Sequence, residues 1–162
     1  MVRAFIRSTW LPDAWDLLPK EMDVRIELAG FDFLTGKALA ERMHGEEVFI
    51  TDEDKVNEDT LNGNKNLRLI GTPSAGLDHI ELEAATRRGI PVVHTPGANA
   101  DSVAEFTFAL ILAISKKLTK ADAQLRRGIP HKLESYRPLM GVQLKGKTMG
   151  IVGVGNIGSR VA

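Results

Sequence analysis

The chain has 162 residues, 43% of them hydrophobic and 26% charged, which is enough for one well-packed domain and part of another. Lysine plus arginine and aspartate plus glutamate number 21 each, so the neutral balance gives no support for binding to nucleic acid or to a membrane. The absence of cysteine excludes disulfides, thiolate catalysis and cysteine-based metal sites, and it fits a cytoplasmic protein. The longest apolar run, residues 106–114, is well short of the roughly 20 residues that cross a bilayer, so we interpret it as a buried helix.

Apolar segments of strand type alternate with helical patterns along the first hundred residues. Strands are predicted over 3–7, 24–28, 47–51, 67–71 and 90–94, and helices over 13–18, 35–43, 57–61 and 80–88. Thr35 has the residue type of a helix cap, and Gly89 that of a helix end. Because strands and helices alternate and the strands carry few polar positions, we predict a flavodoxin-like α/β fold, a parallel sheet with helices on both faces.

A long helix is predicted over residues 102–127. Ser102 and Glu105 have the spacing of a capping box, in which a hydroxyl and a carboxylate bind free N–H groups of the first turn. The first half of the helix is apolar almost all round, which predicts a position between layers or domains. In the second half, cations indicate a solvated face (Lys116, Lys117, Lys120, Arg126 and Arg127). Residues 128–146 follow as a connecting arm.

A glycine-rich turn follows a predicted strand over 149–153. Gly153 permits a tight turn, Gly155 lets the backbone approach a pyrophosphate, and Gly158 lets helix and strand pack closely. The pattern indicates a dinucleotide site, although a turn that only packs and a methyltransferase-type turn have the same glycines. The acidic residue that binds the ribose is expected ~20 residues further on, so the sequence does not distinguish NAD from NADP.

Two loops follow predicted strands at the edge where open α/β sheets bind ligands. In the first loop, Ser74, Ala75 and Gly76 are small enough to present backbone N–H groups to an anion such as a carboxylate. The other interpretation is a plain strand-to-helix connection in which Asp78 caps the helix. In the second loop, Asn99 either bonds the local backbone or points at a ligand on the same edge.

Two segments of the chain carry a family resemblance. Residues 66–105 read NLRLIGTPSAGLDHIELEAATRRGIPVVHTPGANADSVAE, and residues 144–162 read LKGKTMGIVGVGNIGSRVA. Both closely resemble the D-isomer-specific 2-hydroxyacid dehydrogenases and occur in that family's order. The resemblance covers residues 66–162, and the earlier residues fit by pattern only. It implies an oxidoreductase that transfers a hydride between NAD or NADP and a small D-2-hydroxyacid or 2-keto acid.

The resemblance also implies roles for individual residues. The substrate carboxylate lies against the N–H groups of Ala75 and Gly76, with Ser74 beside them, and Asn99 lies near substrate and nicotinamide. The nicotinamide pocket and the pyrophosphate turn are implied at Ser102, Val103, Gly153, Gly155, Asn156, Ile157 and Gly158. The helix and arm over 102–146 are implied to embrace a partner subunit, which favours a homodimer.

Two positions depart from common members of the family. His79 stands where many members carry Asn, and Thr72 stands where many phosphoglycerate-type members carry Arg. The first departure leaves the subtype open, and the second removes a cationic contact to a phosphate or carboxylate. The sequence therefore does not name the substrate acid.

No catalytic residue is expected within this chain. In the family, a His supported by a Glu donates the proton and an Arg polarises the carbonyl, and all three follow the glycine turn. We interpret His44 and His131 as surface or loop residues and His79 as locally bonded. His94 is interpreted as the end of a strand, with an approach to the site as the alternative.

The acidic clusters at 46–47 and 52–54 are interpreted as solvated loop charges, and no metal-ligand spacing appears in the sequence. The predicted organisation has three parts: a substrate-binding domain over 1–100, an interdomain helix and dimerisation arm over 101–146, and an incomplete Rossmann domain over 147–162. The leading hypothesis is the N-terminal portion of a D-2-hydroxyacid dehydrogenase, truncated and inactive by itself. The alternative is a non-catalytic module derived from that family, which binds carboxylates or dimerises.

Overall fold

The computed structural model describes residues 1–9, 17–129 and 132–162. The chain divides into two compact units, Met1–Pro96 and Gly97–Ala162. Most of the helix predicted over 13–18 lies outside the described residues. Within the described ranges, no helix has the length and apolarity needed to cross a membrane.

The first unit is built on a five-stranded parallel sheet. Its strands are β1 (Arg3–Ser8), β2 (Asp23–Leu28), β3 (Val48–Thr51), β4 (Leu69–Gly71) and β5 (Val92–Val93). They lie in the order β2-β1-β3-β4-β5, and every neighbouring pair is parallel. All five carboxyl ends therefore share one edge of the sheet, which is the edge where such folds bind ligands. The predicted α/β fold with a parallel sheet is confirmed.

Apolar side chains on both faces of the sheet form its core. Phe5 in β1 and Phe49 in β3 are fully buried, and their rings stack with centroids 5.5 Å apart. Ala4 and Ile6, which alternate with Phe5 and so point to the opposite face, are buried as well. Helices α1 (Gly36–Arg42), α2 (Glu58–Gly63) and α3 (Leu82–Arg87) connect the later strands and add Leu39, Leu61, Ala84 and Ala85 to the core.

Helix ends in the first unit follow local capping chemistry in two places. The side chain of Asn57 accepts the N–H of Thr60 at 3.1 Å, which caps α2. Gly89 has a φ of +66°, so the chain turns away after α3 as predicted.

Two predicted caps in this unit are wrong. Thr35 occupies the position before α1 but makes no side-chain capping bond, and its backbone bridges to Lys55. Asp78 does not cap α3, because the helix begins only at Leu82. The start is delayed because Ile80 first pairs with Val56 in a short parallel bridge.

The second unit is helical in its described residues. It contains α4 (Ala100–Ser115), α5 (Leu118–Arg126), α6 (Leu133–Tyr136), a 3-10 turn (Arg137–Leu139) and α7 (Gly158–Val161). The prediction of one helix over 102–127 is wrong at its start, which lies at Ala100 with Asn99 in the capping position. Ser102 and Glu105 are therefore inside the helix and do not form a capping box.

The same prediction is wrong at the break between α4 and α5, where the arm binds the end of α4. The carbonyl of Ser115 accepts the N–H of Val142 from the arm at 2.8 Å, and Lys117 takes a left-handed φ of +53°. The Nζ atoms of Lys116 and Lys117 donate to the carbonyls of Val142 and Pro138 at 2.9 and 3.0 Å. These two cations therefore hold the arm, while Lys116 is exposed as predicted and Lys117 is half-buried.

Two further expectations for the second unit are corrected. The apolar half of α4 is exposed, with Phe106 at 62% and Ile114 at 77%, and the buried residues of this helix are Ala100 and Ala104. Residues 149–153 form no strand, because a strand needs a hydrogen-bonded neighbour and no described residue supplies one.

Candidate functional site

The loop that follows β4 is the first candidate site. It starts at the carboxyl edge of the sheet and contains Ser74, Ala75 and Gly76. The N–H groups of Ala75 and Gly76 donate to no acceptor among the described residues, and both residues are exposed. Two free N–H groups on consecutive residues are donors of the kind that can hold an oxyanion.

One hydrogen bond joins this loop to the end of β3, and another lies within the segment that follows β4. The hydroxyl of Ser74 donates to the carbonyl of Asp52 at 3.3 Å, and the N–H of Ser74 donates to the hydroxyl of Thr72 at 3.2 Å. Asp52 is itself held, because its carboxylate accepts the hydroxyl of Ser8 at 2.8 Å and the N–H of Thr9 at 2.7 Å. The loop is thus tied to β3 and, through Asp52, to β1.

A second set of bonds fixes the loop to the end of β5. The N–H of Thr95 donates to the carbonyl of Ser74 at 3.2 Å, and its hydroxyl donates to the carbonyl of Pro73 at 2.5 Å. The ring Nδ1 of His94 lies 3.0 Å from the carbonyl oxygen of Ala75. Three consecutive carbonyls of the loop therefore have partners on the neighbouring strand end.

Three of the acidic residues that the sequence indicated as solvated are buried and hydrogen-bonded, whereas Glu53 is exposed as predicted. Asp52 is 5% exposed, and Asp54, at 1%, pairs with Arg7, also at 1%. Burial alone would lower the pKa of Arg7, but the hydrogen bond to Glu27 and the charge of Asp54 outweigh it and raise that pKa. Glu46 is likewise buried. Nothing in the local pattern separates these acids from solvated ones, since their partners come from distant strands.

Asn99 is the central residue of the second candidate loop. It is exposed at the start of α4, and its side chain makes no hydrogen bond within the described part of the chain. The interpretation in which it bonds the local backbone is therefore wrong. Ser102 and Val103 follow in the first turns of α4, where Ser102 is exposed and Val103 half-buried.

Each glycine of the glycine-rich turn has a distinct environment. Gly153 has a φ of +89°, a conformation that other residues rarely adopt. A Cβ added to Gly158 would overlap the carbonyl oxygen of Gly153, so this approach needs glycine. Gly155 faces open space, with no atom within 4 Å of the position that a Cβ would take.

The second unit brings this turn next to the start of α4. A Cβ on Gly97 would lie 2.9 Å from Nδ2 of Asn156, and the guanidinium of Arg160 bonds the carboxylate of Asp101. The cofactor candidates at 102–103 and 153–158 therefore belong to one unit, together with Asn99. The loop over 74–76 belongs to the other unit.

The histidines are placed as follows. His44 is exposed, and His131 lies outside the described residues. The ring Nε2 of His79 is buried without a partner in the described ranges, so the local bond predicted for His79 is not made through this atom. Those ranges also hold no group of three His, Cys, Asp or Glu side chains that could bind a metal ion.

The family model for the catalytic domain of D-isomer specific 2-hydroxyacid dehydrogenases matches residues 4–152. The chain belongs to this family. It is 37% identical to a glyoxylate reductase of Aeropyrum pernix, over 99% of this chain and 49% of that protein. It is 39% identical to a D-3-phosphoglycerate dehydrogenase of Sus scrofa, over 100% of this chain and 30% of that protein. The chain thus spans half or less of the length of these relatives.

Solved structures show the same architecture. The TT0316 protein from Thermus thermophilus superposes with a TM-score of 0.87 at 33% identity, over 99% of this chain and 51% of that one. D-lactate dehydrogenase from Aquifex aeolicus, complexed with NAD and lactic acid, superposes with a TM-score of 0.73 at 26% identity, over 97% and 46%. The family is thus supported by both sequence and fold.

Proposed function

We propose that this chain forms the substrate-binding part, and the beginning of the cofactor site, of a cytoplasmic oxidoreductase that uses NAD or NADP and acts on D-2-hydroxyacids or 2-keto acids. The observation that carries the proposal is the pair of unpaired N–H groups at Ala75 and Gly76, on a loop fixed to two neighbouring strand ends. A carboxylate bound there accepts two charge-assisted hydrogen bonds, which are stronger than neutral ones.

The residues of the second unit fit the proposed cofactor. The open space at Gly155 leaves room for a pyrophosphate beside the backbone, and Asn156 and Ile157 complete the turn. Asn99, Ser102 and Val103 are proposed to face the nicotinamide. When bound, the cofactor supplies or accepts the hydride.

This chain's own residues are proposed to orient the acid and exclude other poses. The proton donor and the cation that polarises the carbonyl are proposed, as in the family, to follow the glycine turn. We therefore expect the 162-residue chain to bind the acid without turning it over. Oxidation of NADH by glyoxylate in the presence of this chain alone would contradict that expectation.

Carboxylate binding is tested by NMR titration of the isotopically labelled chain with glycolate. The amide signals of Ala75 and Gly76 are expected to shift in a saturable way. Glycolamide, which has the same size but no carboxylate, is the matched control and is expected to shift them little. Shifts confined to other residues would contradict the proposed site.

Cofactor binding is tested with NADH and NADPH on the Gly155→Ala variant. A methyl group there stands where the pyrophosphate is proposed to approach, so we expect the dissociation constant to rise about ten-fold or more. Gly150→Ala is the matched control, because a Cβ on Gly150 would also meet no atom within 4 Å and this glycine has no positive φ. Equal binding by both variants would contradict the proposed turn.

A second candidate function, self-association into a homodimer through α4 and the arm, is favoured by one observation. Phe106 and Ile114 expose 62% and 77% of their surface on the same helix, and exposed apolar surface of this kind promotes association. Sedimentation velocity of a Phe106→Glu, Ile114→Glu double variant is expected to show weaker association than the unaltered chain. Leu28→Glu, at a residue 68% exposed in the first unit, is the control. A chain that stays monomeric at high concentration would contradict this function.

A further inference from the structure

His94 and Thr95 form hydrogen bonds to the backbone of residues 73–75, in the loop over 74–76 that we call the carboxylate loop. The N–H of Thr95 binds the carbonyl of Ser74 at 3.2 Å, and Nδ1 of His94 binds the carbonyl of Ala75 at 3.0 Å. In a planar trans peptide, the N–H of the next residue points opposite to the carbonyl. Fixing these two carbonyls therefore fixes the N–H groups of Ala75 and Gly76, which are the two unpaired donors.

We propose that His94 and Thr95 are positioning residues, which aim the Ala75 and Gly76 N–H groups at the carboxylate of the acid. This inference rests on the proposed function, because it assumes that the two N–H groups bind that carboxylate. The hydroxyl of Thr95 strengthens the arrangement, since it binds the carbonyl of Pro73 at 2.5 Å and so fixes the preceding peptide as well.

The hydrogen bond between His94 and the Ala75 carbonyl indicates which ring nitrogen of His94 carries a hydrogen. A carbonyl oxygen only accepts, so Nδ1 must carry a hydrogen for this bond to exist. That hydrogen is directed at Ala75 and not at a substrate. His94 thus acts through the loop backbone, and the ring is half-buried beside the loop that it orients.

Donors that are oriented before the ligand arrives bind it more tightly, because no ordering cost falls on the binding step. Loss of the His94 bond frees the peptide between Ala75 and Gly76 to rotate. We expect this freedom to weaken glycolate binding about ten-fold, the equivalent of one hydrogen bond of ordinary strength.

The test compares His94→Leu with His94→Asn in the 162-residue chain. The Nδ2 of asparagine is separated from Cα by as many bonds as Nδ1 of histidine, so His94→Asn keeps a donor for the Ala75 carbonyl. Glycolate affinity, followed at the Gly76 amide signal, is expected to fall about ten-fold in His94→Leu and to stay within about two-fold in His94→Asn. The Gly76 signal of the unliganded chain is expected to move in His94→Leu only.

Thr95 provides a second, independent pair of variants. Thr95→Val removes the hydroxyl and keeps the backbone N–H, whereas Thr95→Ser keeps both. We expect weaker binding in the first and recovery in the second. His44→Leu, which removes an exposed histidine without hydrogen bonds to its ring in the described residues, controls for general effects of losing an imidazole.

The outcomes separate the two proposals. If the unaltered chain shows no saturable shift at Ala75 and Gly76, the proposed function fails. If the unaltered chain binds glycolate, and the His94→Leu and Thr95→Val variants bind glycolate as tightly as the unaltered chain does, only the positioning inference fails. Equal weakening by His94→Leu and His94→Asn would also overturn it, because ring volume and not the hydrogen bond would then matter. A melting temperature for each variant identifies any that fail to fold.

Discussion

The two units differ in how far they bury their large apolar side chains, which are mostly buried in residues 1–96 and largely exposed in residues 97–162. In the first unit, Phe5, Phe49 and Ile70 are fully buried between a parallel sheet and its helices. In the described part of the second unit, the buried apolar residues are small or few (Ala100, Ala104 and Val161). Large apolar side chains of α4 are exposed, and an apolar groove is lined by Phe108, Ile111, Leu112, Leu144, Lys147, Thr148 and Met149.

This difference indicates which of the two candidate sites is supported by packing within its own unit. A parallel sheet buries both of its faces within one unit, so its edge loops rest on a fixed base. The loop over 74–76 is held by bonds to Asp52, His94 and Thr95, all in the same unit. A helix that is apolar all round needs cover on several sides. We therefore expect the carboxylate loop to be preformed and the cofactor turn to depend more on what covers α4.

The largest expected effect is loss of the buried ion pair in the first unit. Asp54→Ala leaves the cation of Arg7 buried without its closest partner, which is expected to reduce the free energy of unfolding by about 3–5 kcal/mol. Urea unfolding followed by circular dichroism measures it. A loss below about 1 kcal/mol would show that this pair does not stabilise the first unit in the way that buried pairs do.

The matched change in the second unit is Asp122→Ala. Asp122 pairs with Arg126 one helical turn away, and both side chains are exposed. Removal of this pair is expected to cost no more than about 0.5 kcal/mol. A large effect here and a small one at Asp54 would reverse the comparison between the units.

Gly141→Ala tests the packing that the second unit does have. A Cβ at this position would lie 2.5 Å from the Ser115 oxygen and 2.7 Å from the Lys116 Cα, and neither backbone can move cheaply. We expect the free energy that holds the arm against the end of α4 to fall by about 1–3 kcal/mol. Faster hydrogen exchange at the Val142 amide would measure this loss. Gly150→Ala, which meets no atom within 4 Å, is the control.

The stability of the first unit is expected to depend on pH through its buried acids. Burial would raise the pKa of Glu46, but hydrogen bonds from Arg25 and from the backbone N–H groups of His44 and Glu46 outweigh it and lower that pKa. Because the folded pKa lies below the unfolded one, the stabilisation is complete above about pH 4.5 and is lost as the pH falls through the folded value. We expect the Glu46→Gln substitution to lower the free energy of unfolding by about 1 kcal/mol at pH 7. The difference between the variant and the unaltered chain is expected to shrink in acid.

Glu58 is the control for this pH effect. Hydrogen bonds from Arg88 and Arg87 lower the pKa of Glu58, but this carboxylate lies at the surface. Salt screens exposed charges far more than buried ones. High salt is therefore expected to abolish the contribution of Glu58 and to leave most of that of Glu46, and an equal loss of both would contradict the buried assignment.

The smallest expected effect concerns the charge beside the carboxylate loop. The carboxylate of Asp78 lies 3.3 Å from the position that a Cβ on Gly76 would take, so it opposes an anionic ligand there. Asp78 is exposed, and solvent weakens the repulsion. Asp78→Asn is expected to tighten glycolate binding about two-fold in the NMR titration. Weaker binding would indicate that the anion does not approach Gly76.

Local sequence patterns predicted the sheet and the family, and they failed where a residue's partner lies far away in the sequence. Alternation of strands and helices predicted the parallel sheet, because each strand carried its own apolar signal. The paired motifs at 66–105 and 144–162 indicated the family to which the chain belongs. The break at Lys117 was missed because it depends on the arm, which binds Ser115 from far along the sequence. The burial of Asp52 and Asp54 was missed because their partners lie on β1.

The sequence by itself determined the fold class, the family and the identity of the small residues in the carboxylate loop and the glycine turn. These properties follow from residue type and spacing, which are local. Only the tertiary structure decided that His94 and Thr95 hold the 74–76 loop, and that α4 keeps its apolar side chains exposed. Both depend on which distant segments meet, since a hydrogen bond or a buried face exists only when its partner is brought within reach.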